Sequence, residues 1–291
     1  MLGAQKMTHL THAVDNPAAA VAMYQDVFGG RVFYRGPLDP DDDPASVFLV
    51  LSSLCIKVES LTALRRRLGP LLLAPFEGYQ AITLKVAGLD QAARHLESQG
   101  VRVPMRSPTR IYAHPEDTFG ALFELRATEI PDDPRLAPGW STDSRSLDHP
   151  IGFTEFWGVS LLVNNPLEAK RLYEEAFEAK HVAMREASEI ARHMIHFTVG
   201  ESPFAALEPA SAESELAKVG ERLAGGQGIH GATMVSTKMA SLPRYFSSKG
   251  IGLLPSPRTR CQPHPRALMG ARFVIVQDPP PGDPRWGHFG R

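Results

Sequence analysis

Cysteine, long apolar runs and an excess of one charge are all scarce in this 291-residue chain, and each scarcity excludes a class of protein. Cys55 and Cys261 are too few for a disulfide framework, which favours a reducing, cytoplasmic location. No run of about 18 apolar residues occurs, so the sequence predicts no transmembrane helix. Residues 1–16 contain no apolar core of signal-peptide length. The net charge of −1 gives no bulk attraction to nucleic acid or to an anionic membrane.

Several motifs of well-known enzyme classes are missing as well. The sequence contains no glycine-rich phosphate loop, no nucleophile elbow and no paired-cysteine metal motif. What it does contain is ample material for folding, with 43% hydrophobic and 22% charged residues. The length suits about two domains of roughly 150 residues. The expected partner is therefore a small molecule, with no nucleic acid and no membrane.

An internal duplication organises the sequence. The segment IYAHPEDTFGALFEL at 111–125 is echoed by CQPHPRALMGARFVI at 261–275. Each copy contains His-Pro, four further residues, Gly-Ala, one more residue and Phe, and the two histidines, His114 and His264, stand 150 positions apart (264 − 114). Self-similarity in one register indicates two copies of one unit. The copies differ at Glu124, whose counterpart is Val274.

Each copy is predicted to contain two strand–helix–three-strand units, which makes four βαβββ units in all. The first begins with a strand at 8–14, followed by Asn16-Pro17, an N-cap and a proline at the first helical position. The second begins with a strand at 80–86 and a helix at 89–99, closed by Gly100. The alternation of strands with helices predicts an α+β fold.

The repeat also predicts the domain boundaries. The N-terminal module covers 1–128 and contains the expected site. A linker rich in Pro and Asp covers 129–152, and the C-terminal module with its tail covers 153–291. Both a monomer and a homodimer are compatible with this arrangement.

The repeated motif and the order of elements resemble the vicinal oxygen chelate superfamily, which includes glyoxalase I, extradiol dioxygenases, methylmalonyl-CoA epimerase and bleomycin-resistance proteins. The segment 114–125 is most similar to the closing strand of the epimerase-like branch. The resemblance implies two glyoxalase-like modules, each a cupped mixed β-sheet with helices on its outer face. Because the superfamily hosts many chemistries, function has to be argued from the site.

The resemblance also implies a metal site built from the first and last strands of each unit. In the first module His9 and Glu124 fall at two of its four positions. A third maps to Ala81, where Gln80 serves as a ligand only if the register slips by one, and the fourth falls near Ile56. Imidazole and carboxylate suit a divalent ion such as Zn, Fe, Mn, Ni or Co.

The second module reads differently at the corresponding positions, which are Gly158, Ala205, Gly231 and Val274. We expect this module to have lost any metal site and to support the structure or close the substrate cleft.

Strand alternation sorts the remaining candidates in the first module. It directs His9, Thr11 and Ala13 into the cup and His12 towards the helix layer, as a core or interface histidine. Glu59, on a strand beside the cup, is a candidate general base.

Several charged or polar groups are interpreted as structural. We expect His114 and His264 to satisfy the turn backbone, Arg110 and Arg260 to lie at a surface or interface, and 39–43 to be a solvated acidic turn. The run Arg65-Arg66-Arg67 is predicted to be a solvated helix face, with contact to an anionic substrate tail as its alternative.

These features favour a metal-dependent lyase, isomerase or epimerase. The metal would chelate a small oxygenated substrate and stabilise an enolate-like intermediate. The alternative is a metal-free protein that binds or sequesters a small apolar molecule, as bleomycin-resistance proteins do. An extradiol-type dioxygenase is less favoured because Ala81 replaces an expected second histidine, and a structural partner of another enzyme is a further possibility.

Overall fold

The strands of the computed structural model, which describes residues 1–73, 75–141, 147–186, 191–256 and 259–277, form two mixed sheets. The first has the spatial order β2-β3-β4-β1-β5-β8-β7-β6. Its strands are β1 (Ala4–Val14), β2 (Arg31–Arg35), β3 (Val47–Leu51), β4 (Leu54–Ser60), β5 (Gly78–Val86), β6 (Met105–Arg106), β7 (Arg110–Ala113) and β8 (Leu122–Arg126).

The second sheet repeats this order as β10-β11-β12-β9-β13-β15-β14. Its strands are β9 (Phe153–Leu162), β10 (Lys180–Glu186), β11 (Ala191–Val199), β12 (Ser202–Pro209), β13 (Gly228–Ser236), β14 (Arg260–Cys261) and β15 (Phe273–Gln277). The helices are α1 (Pro17–Phe28), α2 (Leu61–Leu68), α3 (Leu89–Ser98), α4 (Pro166–Ala176), α5 (Glu215–Gly220) and α6 (Leu242–Ser248). The predicted α+β fold of paired βαβββ units is confirmed. None of the described helices has the length and apolar character needed to cross a membrane.

Local sequence explains where the first helix of each module begins. The side chain of Asn16 accepts a hydrogen bond from the backbone N–H of Ala19 at 3.0 Å, and Asn165 accepts one from Glu168 at 3.1 Å. These contacts satisfy backbone donors that the first turn of a helix leaves unpaired. The cap and the proline that follows it start α1 and α4 at equivalent places.

The two His-Pro turns are structural, as predicted. Nδ1 of His114 accepts a hydrogen bond from the backbone N–H of Glu116 at 3.3 Å, and Nδ1 of His264 accepts one from Arg266 at 3.2 Å. Both histidines thus cap the short 3₁₀ turn that follows them.

The two modules share one apolar core. The ring of Phe28 stacks on Phe153 with centroids 6.1 Å apart and lies 4.6 Å from Phe273. His12 bridges the modules, since its Nε2 donates to the carbonyl oxygen of Met269 at 2.8 Å while its Nδ1 accepts from the Tyr24 hydroxyl at 2.9 Å. The prediction that His12 faces the helix layer is confirmed.

Helix α2 covers the mouth of the first cup. Its leucines pack against apolar side chains on the concave face of the first sheet. The contacting set is Leu61, Leu64 and Leu68 with Ala13, Ala81, Tyr112 and Leu122. The first cup is therefore a closed core, and this decides what its polar residues can do.

Candidate functional site

His9 and Glu124 stand on the same concave face of the first sheet, separated by one strand. Thr83 on β5 pairs with His9 on β1 and with Glu124 on β8. The three side chains therefore project into one cup, because residues opposite each other on neighbouring strands point to the same face.

Both predicted metal ligands already have protein partners. Nε2 of His9 lies 3.0 Å from the Thr83 hydroxyl and Nδ1 lies 3.1 Å from the Thr8 hydroxyl. Glu124 accepts hydrogen bonds from Arg126 at 2.8 Å and from the Tyr112 hydroxyl at 3.2 Å. Each ring nitrogen and each carboxylate oxygen is thus engaged.

Electrostatics fix the protonation of the two groups. Burial lowers the pKa of His9 well below its usual value, and this outweighs the opposite effect of Glu124. Burial alone would raise the pKa of Glu124, but Arg126, Arg110 and Lys57 bring it down to about 2. The cup therefore holds a neutral imidazole beside an ionised carboxylate.

The remainder of the cup is filled by a balanced ion network. Its members are at most 3% exposed: the cations are Lys57, Arg67, Arg110 and Arg126, and the acids are Asp39, Asp42, Glu59 and Glu124. We call this set the charge network.

Asp42 and Asp39 connect the cations of the charge network. Asp42 lies 3.4 Å from Lys57, 2.6 Å from Arg67 and 2.6 Å from Arg110. Asp39 lies 3.0 Å from Arg110 and 2.6 Å from Arg126.

Three interpretations from sequence are wrong at this point. The acidic segment 39–43 is not a solvated turn, because Asp39, Asp42 and Asp43 are buried. Arg67 is not on a solvated helix face, since its guanidinium is inside the network. Arg110 is also buried in the network, where it pairs with Asp39, and is not a surface residue.

Glu59 is held by two cations. Its carboxylate accepts from Arg67 at 3.0 and 3.1 Å, and Lys57 lies 3.1 Å away. Both oxygen atoms are neutralised and buried. The structure does not support the predicted role of a general base, which needs an oxygen within reach of a substrate proton.

The structure also changes the assignment of the other two ligand positions. Thr83, and neither Ala81 nor Gln80, lies between His9 and Glu124. Gln80 is the extra residue of a β-bulge, and its amide donates to the carbonyl oxygen of Phe76 at 2.8 Å. Gln80 stands three residues before Thr83 on β5, which places it about 10 Å along the strand from His9 and Glu124.

At the fourth position Lys57, rather than Ile56, faces the cup, because Lys57 pairs with Thr11. The expected metal-ligand position therefore carries an ammonium group.

A divalent ion does not fit this donor set. Bound at His9 and Glu124, it would displace Arg126 from the carboxylate and stand among the four cations of the charge network. A low-dielectric interior makes such repulsion severe. The cluster of Asp39, Asp41 and Asp42, whose oxygen atoms come within 4.8 Å of one another, already binds Arg110.

An open cleft lies instead in the cup of the second module. It encloses about 840 Å³ of non-atom space, a volume that includes open solvent at its mouth. Apolar side chains from the sheet and from α5 line most of it, among them Trp157, Met194, Leu207, Leu216, Val219 and Val274. Its polar lining includes His196, His230, Arg260, Gln262 and Arg272.

The repeat register explains why this cup is open. Thr233 pairs with Gly158 and with Val274, as Thr83 pairs with His9 and Glu124. Ala205 pairs with Ser160 at the place where Lys57 pairs with Thr11. The imidazole, the carboxylate and the ammonium of the first cup are thus replaced by small or apolar residues.

Two polar residues of the cleft, His230 and Arg272, differ in type from the residues at the equivalent positions of the first module. Neither was predicted from the sequence as a site residue. His230 stands 150 positions after Gln80 (230 − 80), and Arg272 stands 150 after Leu122 (272 − 122). The sequence did contain one signal for this site: Arg272 introduces a cation in a module that otherwise loses the charged residues of the first cup.

Comparison with known proteins agrees with the fold. Residues 6–125 match the Glyoxalase/Bleomycin resistance protein/Dioxygenase superfamily. A triple mutant of 4-hydroxymandelate synthase from Streptomyces coelicolor is similar at 12% identity and a TM-score of 0.65, over 94% of this chain and 92% of that one. The 2,3-dioxygenase LapB from Pseudomonas sp. KL28 is similar at 16% identity and 0.60, over 96% and 95%. No curated protein sequence matches the chain.

Proposed function

Residues 6–125 of this chain match the Glyoxalase/Bleomycin resistance protein/Dioxygenase superfamily, and we propose that the chain binds a small organic molecule in the cleft of its second module, without a metal ion held by the protein. The observation that carries the proposal is the contrast between the two cups. One is filled by the charge network and covered by α2, and the other is open and mainly apolar.

Ligand pockets in proteins are concave, mostly apolar and equipped with a few placed polar groups. The second cup has this composition. Apolar side chains of β9, β11, β12 and α5 surround a small number of basic and amide groups. Burying an apolar ligand there is favourable by roughly 25 cal/mol per Å² of apolar surface removed from water.

Calorimetric titration with two naphthalene probes tests the proposal. 2-Naphthoate and 2-naphthylmethanol are added to protein dialysed against EDTA. We expect saturable binding, which Val274→Trp abolishes because the indole fills the cleft. Leu167→Trp is the matched control, since Leu167 is 64% exposed on α4 and lies outside the cleft. Equal affinity in Val274→Trp and wild type would contradict the proposal.

A metal-dependent lyase, isomerase or epimerase is the second candidate. The shared cup of His9 and Glu124, each of which shifts the pKa of the other, favours it. The engaged donor atoms and the four neighbouring cations oppose it. Elemental analysis of protein never exposed to chelator separates the two candidates. About one ion per chain, lost in both His9→Ala and Glu124→Ala, would establish the metal site that the enzyme requires, and well under one ion per chain would reject this candidate.

A further inference from the structure

Arg272 is a cation without an acidic partner. It lines the cleft, and among the described residues its guanidinium makes no ion pair within 4 Å. Glu215, an acid that also lines the cleft, acts on it from a distance, but is about half exposed and bound to Lys218 at 2.8 Å. Burial, with a smaller effect of Arg222, lowers the pKa of Arg272 to about 10 although Glu215 opposes the shift, so the guanidinium stays charged at neutral pH.

The imidazole of His230 lines the cleft beside Arg272. The residue is 5% exposed, and its buried Nδ1 has no hydrogen-bond partner. Burial, helped by the charge of Arg272, lowers the pKa of His230 to about 3, so the imidazole is neutral. A buried polar atom left unpaired has a substantial free-energy cost, so this histidine is not explained by folding alone.

Backbone geometry keeps these two residues together. At Gly231, a Cβ atom would lie 2.9 Å from the Cβ of Arg272 and 2.8 Å from its carbonyl oxygen. Any larger residue at 231 would push the Arg272 strand away. The β-bulge between Ile229 and Gly231 then places His230 on the cleft wall.

We infer that the ligand of the second cup is an organic anion, with its acidic group at Arg272 and the imidazole of His230 and its apolar body against Trp157, Met194 and Val274. This inference rests on the proposed binding function and adds the chemical class of the ligand. A planar carboxylate matches the forked donors of a guanidinium, and a neutral imidazole can donate one further hydrogen bond. The anion supplies the charge that Arg272 lacks.

The two naphthalene probes separate the binding function from the preference for an anion, because they share one apolar body and differ in charge. We expect wild-type protein at pH 7 to bind 2-naphthoate at least about 10-fold more tightly than 2-naphthylmethanol, the usual gain from a charged hydrogen bond. In Arg272→Gln this preference should disappear, while the affinity for the alcohol stays within about 3-fold. His230→Leu should weaken naphthoate binding by about 5-fold.

Arg244→Gln is the matched control, since it removes one positive charge from the exposed face of α6, outside the cleft. It should leave the preference unchanged. If both probes bind equally well, or if Arg272→Gln keeps the preference, the anion inference is overturned and the binding function stands. If neither probe binds wild-type protein, both are overturned.

Discussion

Removing one charge from the first cup should unfold the protein much more readily, and removing its partner as well should restore part of the loss. Glu124→Gln leaves Arg126 with Asp39 alone and gives the charge network an excess positive charge. Breaking a buried pair on one side costs about 3–5 kcal/mol. Arg126→Met should cost a similar amount, because Glu124 is then buried without its closest cation.

The double variant removes both charges and returns the network to balance. We therefore expect a coupling energy of at least about 2 kcal/mol between Glu124 and Arg126, measured by urea denaturation in EDTA. The pair of Lys249 and Asp26 is the matched control. It has a 2.6 Å contact, but its side chains are 30% and 66% exposed. An exposed pair contributes roughly 0–1 kcal/mol, so Asp26→Asn should have little effect.

Two results would refute this reasoning. If Glu124→Gln and Asp26→Asn lowered the free energy of unfolding equally, the charge network would not stabilise the first cup. If EDTA lowered the free energy of unfolding of wild-type protein by as much as Glu124→Gln does, Glu124 would act through a metal ion. The second result would return the function to the first module.

The interface histidine and one glycine give two further tests. Burial, partly offset by the bond to Met269, lowers the pKa of His12 to about 4, so only the unfolded chain gains its proton between pH 6.5 and 4. Stability should therefore fall as the pH drops below 6.5, and His12→Gln should lose about 2 kcal/mol less than wild type between pH 7.5 and 5 in urea titrations. Gly158→Ala should destabilise by more than about 1 kcal/mol, because φ is +126° and the new Cβ would lie 2.6 Å from the Pro203 carbonyl oxygen. Gly252→Ala, with no atom within 4 Å of its Cβ, should be nearly neutral in the same assay, and a comparable loss there would contradict the geometric cause.

Local signals in the sequence were sufficient for the fold. Asn16-Pro17 and Asn165-Pro166 carry their own capping chemistry, so helix starts could be predicted without tertiary contacts. Alternation along β1 likewise separated His9 from His12, because one face of that strand packs on the helices. The extent of the edge strand β6, which is only Met105–Arg106, could not be predicted in this way. Edge pairing of this kind depends on a neighbour that the local sequence does not specify.

The site was harder to predict because its contacts are long-range. Arg110 and Arg126 meet Asp42 and Asp39 across 68 and 87 residues, and no local pattern encodes such pairing. The bulge at Gln80 shifts the register by one residue, which moves side chains to other neighbours. Arg67 did have a local signal. It follows Leu64 by three residues, next to the buried stripe of α2, and an arginine at that position has to find acids inside.

The comparison of the two cups shows how one fold supports two different interiors. A cup with four buried cations needs four acids, and these eight side chains together occupy the interior of the first cup. In the second copy Ala205 and Val274 remove that requirement, and the cup becomes a cleft. Of the cations that line this cleft, Arg272 makes no ion pair among the described residues. An unmatched cation lowers stability unless something from outside neutralises it, so its position at the cleft wall is explained by a bound anion better than by folding.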